Sequence, residues 1–282
     1  MESGAGSPTQ AALVWQRAAT ARQRADRARK LVRRYEALAD KTHDALYLRL
    51  ADLHRTTAAR QKVAAELLEA HARRTGAWAR DGGPQPLFMT GVAEACGTPS
   101  VAVTLVDGER NQIAVASSDP HSNTAQDLEF VLGEGPARDA VHGRCPVEAA
   151  DTGLSTRWPG YGPALRSLGI AQVVAVPLQV PGECIGALAV FDPRPGTTTT
   201  TQVTEVADAL TRSVLIGQDA VPGLFGDVDY RAVVHQAAGM VAVQLHCLVG
   251  DALELVKARA FADGRPIGDV ARDIVHGQLK LG

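Results

Sequence analysis

Aromatic residues are scarce in this chain, at 4% of 282 residues. Alanine is abundant, so the packing is expected to be helix on helix through small side chains. No apolar run reaches the ~18–20 residues that span a bilayer, so no membrane partner is expected. The first residues, MESGAGSPTQAALVWQRAA, lack a basic segment followed by an apolar one. That argues against a secretory signal and makes the cytoplasm the expected compartment. The four cysteines, Cys96, Cys145, Cys184 and Cys247, are scattered, with no CxxC and no His/Cys cluster. They are expected to be reduced structural thiols, with no metal site and no activated nucleophile. No catalytic residue and no enzymatic activity are expected, and no motif specifies a cofactor.

A small overall charge hides an uneven distribution. Residues 1–80 carry 16 basic against 8 acidic side chains, residues 81–227 carry 7 against 17, and residues 228–282 carry 6 against 6. Texture changes at the same boundaries, so three modules are expected: 1–80, 85–218 and 226–282.

The first module reads as a long helix. Val14, Ala18, Ala21, Ala25, Ala28, Val32, Tyr35, Ala39, Thr42 and Leu46 recur at spacings of four and three. The step of four from Thr42 to Leu46 is followed by a second one, to Leu50, and the pattern continues through Leu53, Thr57, Ala64 and Leu67. A 3.5-residue period predicts a coiled-coil seam, and the extra step of four is a stutter. Two packings satisfy the pattern: a homodimeric coil, which is preferred, or two helices folding back as a hairpin. The seam is predicted to be weak among its early alanines and tightest at Leu46–Leu53. Arg17, Arg22, Arg24, Arg27, Arg29, Lys30, Arg33 and Arg34 form a basic run, read as the solvated flank of the coil, with anion binding as the alternative.

ARDGGPQP breaks the helix. The second module then mixes helices with two strand pairs, SVAVTLVD with QIAVASSD and AQVVAVPLQV with ECIGALAVFD. This predicts an α+β sandwich with an antiparallel sheet. The third module reads as three short helices with tight links. Tyr230, Val234, Ala237, Val241 and Leu245 mark the core side of the first, and Leu253, Val256 and Ala260 that of the second. Pro266 opens the third, with Ile267, Val270, Ala271 and Ile274 inward. The second helix is expected to begin at Gly250–Asp251.

The order helix, strand pair, GEGPARDAV, RWP, VAVPLQVPGECIGALAVF, helix resembles a GAF domain, close to those of actinobacterial regulators. The resemblance implies a cup that holds a small molecule under a segment running from Glu129 to Trp158. In that cup Trp158 and Tyr161 would stack a flat ligand, and Arg138, Arg144 or Arg157 would pair with an anionic group. The alternative for Trp158 is a core plug.

QAAGMVAVQL, DALELVKARAFADGRPIGDVARDIV and LKL resemble the ANTAR domain. That resemblance implies binding to paired hairpins in nascent RNA and transcription antitermination. A face of Ala238, Gly239 and Ala242 would let an RNA backbone approach, with Arg231, His235 and Arg272 supplying donors. Tight helix packing of that small face is the alternative. Ala238 stands where many relatives carry lysine. The expected protein is a dimeric sensor-regulator, with RNA and a small molecule as partners. The runner-up is a GAF signalling module that acts through protein contacts without RNA.

Overall fold

The computed structural model describes residues 8–81, 86–194, 196, 198–216, 224–225 and 229–281. The expected break at ARDGGPQP falls largely on 82–85, outside the described residues. In chain order the elements begin with helices α1 (Pro8–Thr42), α2 (Ala45–Asp81) and α3 (Phe88–Ala95). Strands β1 (Ser100–Val106) and β2 (Gln112–Ser117), helices α4 (Pro120–Leu132) and α5 (Pro136–Gly143) and strand β3 (Val147–Ala150) follow. Next come α6 (Thr152–Arg157), α7 (Tyr161–Ser167), β4 (Gln172–Val180), β5 (Glu183–Phe191) and α8 (Thr200–Ala209), which runs into a π-helical turn over Leu210–Leu215. Short strand β6 (Asp229–Tyr230) precedes α9 (Ala232–Leu245), α10 (Val249–Asp263) and α11 (Ile267–Val275).

These elements form two compact units, one of residues 1–96 with 198–226 and one of residues 97–197 with 227–282. In the first unit the expected long helical segment takes the second of its two packings, an antiparallel hairpin of two long helices. The helix breaks at His43–Asp44, with His43 in the left-handed region at φ 53°. Asp44 accepts the Leu46 N–H at 2.8 Å and so starts α2. Arg22 meets Glu69 at 2.6 Å and Arg55 meets Glu36 at 2.7 Å, which sets the antiparallel register.

The predicted seam is used inside the chain. Val14, Ala18, Ala21, Ala25 and Ala28 are all buried, as are Ala64, Ala65, Leu67, Leu68 and Ala72 on the returning helix. This corrects the preferred dimeric coil. A stripe of alanines is covered as well by a tethered helix as by a second copy, and the tether makes the tethered helix win. The stutter at Thr42–Leu46–Leu50 coincides with the reversal. Hence Leu46 and Leu53, expected to be the tightest layer, are 46% and 61% exposed near the bend. Away from the bend, the Phe88 ring lies edge-on to His71 and to Phe225. Arg60 reaches Asp208 of α8 at 2.8 Å.

The second unit is built on one antiparallel sheet with strand order β3-β4-β5-β1-β2-β6. The two expected hairpins supply its centre. Helices α4 to α7 pack over it, and Leu154, Trp158, Tyr161, Leu165, Val173 and Phe191 lie in the shared core. Asp119 caps α4 by accepting the Ser122 N–H at 2.8 Å, with Pro120 in the first helical turn.

The C-terminal helices form the expected bundle, and Val234, Ala237, Val241, Val256, Ala260, Ile267, Val270 and Ile274 of the predicted stripes lie in its core, joined by Ala238, Ala242 and Ala252, whereas Leu245 at the end of the first stripe is exposed. Phe130 of α4 belongs to the same cluster. A bundle this small gains apolar cover from the helix beside it. Helix α10 starts at Val249, one residue earlier than expected, and no side chain caps it.

Candidate functional site

A pocket open to solvent lies in the second unit. Its floor is polar: Thr104 of β1, Gln112 of β2 and Glu129 of α4. Exposed Arg110, Arg138 and His142 stand around it. The bundle supplies the remaining wall through His235, Leu253 and Lys257.

Glu129 is buried, and no cation pairs with it among the described residues. Its Oε1 accepts the Arg138 N–H at 2.6 Å and its Oε2 accepts from Gln126 at 3.3 Å. Burial outweighs these donors and pushes the carboxyl up to about 8. Gly135 makes room for it. A Cβ on Gly135 would fall 2.6 Å from the Glu129 carboxyl carbon, inside van der Waals contact. The second glycine of GEGP is therefore demanded by a side chain six positions earlier.

A hydrogen-bonded chain leads from Glu129 across the floor. Gln126 joins Glu129 to the Thr104 hydroxyl. Gln112 donates to that hydroxyl at 3.3 Å and accepts from Arg231 Nε at 3.1 Å. Arg231 is fully buried at the head of α9. It pairs with Asp127 at 2.7 Å and lies 5.0 Å from the centre of the Phe130 ring.

Of the five residues assigned to a ligand cup, only Arg138 lines this pocket. Trp158 and Tyr161 are core residues, edge to face at 6.1 Å. The Trp158 indole donates to Asp139 at 3.2 Å, and Arg157 holds the same carboxylate at 2.9 Å. Arg144 is exposed beyond α5, where its carbonyl accepts from Gln179. Glu134 accepts the N–H groups of Gly160 and Tyr161 at 2.5 and 2.7 Å. GEGP is thus fastened to the turn that follows RWP, and Trp158 and Tyr161 are placed away from the opening.

The six residues assigned to an RNA face are also divided. Ala238 and Ala242 are buried in the bundle, and Arg231 lies inside the unit. His235 faces the pocket. Arg272 is exposed on α11 and held by Asp269. Gly239 lies on the outer side of α9, and a Cβ there would meet nothing within 4 Å. The pocket floor of Thr104, Gln112 and Glu129, and the bundle wall with Lys257, were not anticipated from sequence. The one local signal was the glycine pair flanking Glu134.

Among the described residues no group of three His, Cys, Asp or Glu side chains is arranged for a metal. Burial pushes the Cys96 thiol up to about 12, which keeps it protonated and unreactive. Cys184 is buried and donates to the Gly186 carbonyl at 3.3 Å.

Two buried groups give opposite pH responses. Glu129 favours its neutral form in the fold, so its contribution is present below the unfolded value of 4.5 and is lost as pH rises through about 8. His71 is held down to about 4 by burial and by Arg74, so its contribution is present above 6.5 and lost as pH falls toward 4. Thermal melts of the full chain between pH 4 and 9 are expected to show two slopes of opposite sign. Glu129→Gln should remove the alkaline slope only, and a slope unchanged by that substitution would assign it elsewhere.

No helix among the described residues is by itself long and apolar enough to cross a membrane. No curated protein matches the chain. The expected GAF resemblance is found over the sandwich, and the match ends before the three C-terminal helices. Residues 87–214 match the GAF domain family, a signal-sensing module whose members commonly bind small ligands.

Proposed function

We propose that the chain is a cytoplasmic, non-enzymatic regulator in which GAF sensing controls an ANTAR-type bundle that binds paired RNA hairpins and favours antitermination. The observation that carries this reading is the open outer face of α9. Ala232, Gln236, Gly239 and Val243 follow one another along it at helical spacing, and Gly239 leaves it unobstructed. Glycine inside a helix costs about 1 kcal/mol relative to alanine, so a half-buried glycine with free space at its Cβ position suits close approach from outside. Arg272 is exposed on α11 but held by Asp269, while Arg231, Ala238 and Ala242 are withdrawn from the face. Two hairpins call for two bundles, so a homodimer is part of the proposal. Because the alanine seam is already occupied, its contacts would lie on the outer surface of the chain.

The test pairs a gel shift on two-hairpin RNA with circular dichroism melting. Gly239→Leu is expected to abolish binding while the melting temperature holds or rises slightly. Full RNA affinity in that variant would remove α9 from the interface. An unmodified chain that fails to shift paired hairpins would favour signalling through protein contacts, for which exposed Val243, Leu248 and Val249 offer an apolar surface.

A further inference from the structure

The pocket is shared by two modules of unlike charge. Its GAF side contributes Arg110, Arg138 and His142, and its bundle side contributes His235 and Lys257. Most other surface arginines of this unit are neutralised. Arg157, Arg259, Arg265 and Arg272 each hold a carboxylate. The Arg110 and Arg138 guanidinium groups have no acidic partner among the described residues.

The acids nearby are occupied. Asp107 accepts the N–H groups of Glu109 and Asn111 at 2.9 and 2.8 Å. Glu254 is paired with Lys257 at 2.9 Å. Glu129 lies at the floor, where burial favours the neutral acid at physiological pH. A neutral carboxyl donates a hydrogen bond and does not repel an anion. Lys257 is held 4.7 Å from the centre of the Phe130 ring, so its ammonium is positioned in advance.

We propose that this pocket binds a small organic anion, carrying phosphate or carboxylate, held jointly by Arg110 and Arg138 of the GAF domain and Lys257 of the bundle. The charged end lies among these three cations, and its uncharged polar part reaches toward Thr104, Gln112 and Glu129. Because both modules hold it, the ligand strengthens the seating of α9 and α10 on the GAF domain. The proposal deepens the sensing reading by naming the ligand's charge class and the surface it acts on.

Adenosine 5′-monophosphate, citrate and pyrophosphate serve as anionic probes, and adenosine as the neutral control, in calorimetric titrations of the full chain. At least one anion is expected to bind at micromolar to millimolar concentration and to raise the melting temperature. Arg110→Ala and Arg138→Ala should each weaken it about tenfold, the scale of one lost charge-assisted contact. Lys257→Met should weaken it similarly, which a pocket made by the GAF domain alone would not do. Arg144→Ala, away from the pocket, should leave it unchanged. The proposal is overturned if none of the three anions binds, if adenosine binds as well as its monophosphate, or if Lys257→Met has no effect. An anion that binds as described without altering hairpin affinity would leave the site standing and remove the sensing link to RNA.

Discussion

Arg231→Ala is expected to destabilise the protein by about 3–5 kcal/mol, the scale of removing one partner from a buried ion pair. Asp127 would lose its bound guanidinium, Gln112 its donor and Phe130 its stacked cation. Because Arg231 joins the head of α9 to β2 and α4, the loss should fall first on the contact between the bundle and the GAF sheet. Urea denaturation of the full chain measures it. A shifted midpoint or a separate early transition of the bundle is the expected result. Pairing Arg231→Met with Asp127→Leu should recover much of the loss, since the uncompensated acid is then gone. An RNA-edge role would look different. Arg231→Ala would then leave the urea curve unchanged and lower the salt dependence of RNA binding.

Trp158→Ala is the second large effect, again about 3–5 kcal/mol, as for truncating a large buried aromatic. Its indole fills the core beside Tyr161 and donates to Asp139, which also anchors Arg157. The substitution opens a cavity under α6 and α7 and leaves Asp139 with one donor fewer. Pocket ligands should still bind at temperatures where the variant is folded, since Trp158 does not line the opening. Thermal melting and an anion titration at low temperature separate the two quantities. A variant that melts like the parent and fails to bind would put Trp158 back in a ligand site.

Much of the architecture was legible because it is local. The 3.5-residue alanine period marked the helical seam, and Thr42–Leu46–Leu50 broke it where the chain turns back. Alternation and short turns marked β1, β2, β4 and β5, whose strands pair with near neighbours. Strands β3 and β6 were missed, since four and two residues are too short for a period to emerge. In the bundle, Ile267, Val270, Ala271 and Ile274 showed their face before any partner was known, and all four are buried.

By itself, then, the sequence determined which of the longer segments are helix or strand and which face of most of them is apolar, because those properties rest on backbone geometry and on spacing along one chain. Tertiary structure alone decided what covers each face. An alanine stripe carries no mark of whether a second copy or its own chain will bury it, and here the hairpin does. An arginine at a helix start reads as a surface donor until Asp127, far away in sequence, is brought beside it. Glu129 looked like one carboxylate among many on an acidic module. Only the closing of α4 and α5 over the sheet removed its water and raised it to about 8. Desolvation and long-range pairing depend on distances between segments remote along the chain, and those distances come into being when the chain folds.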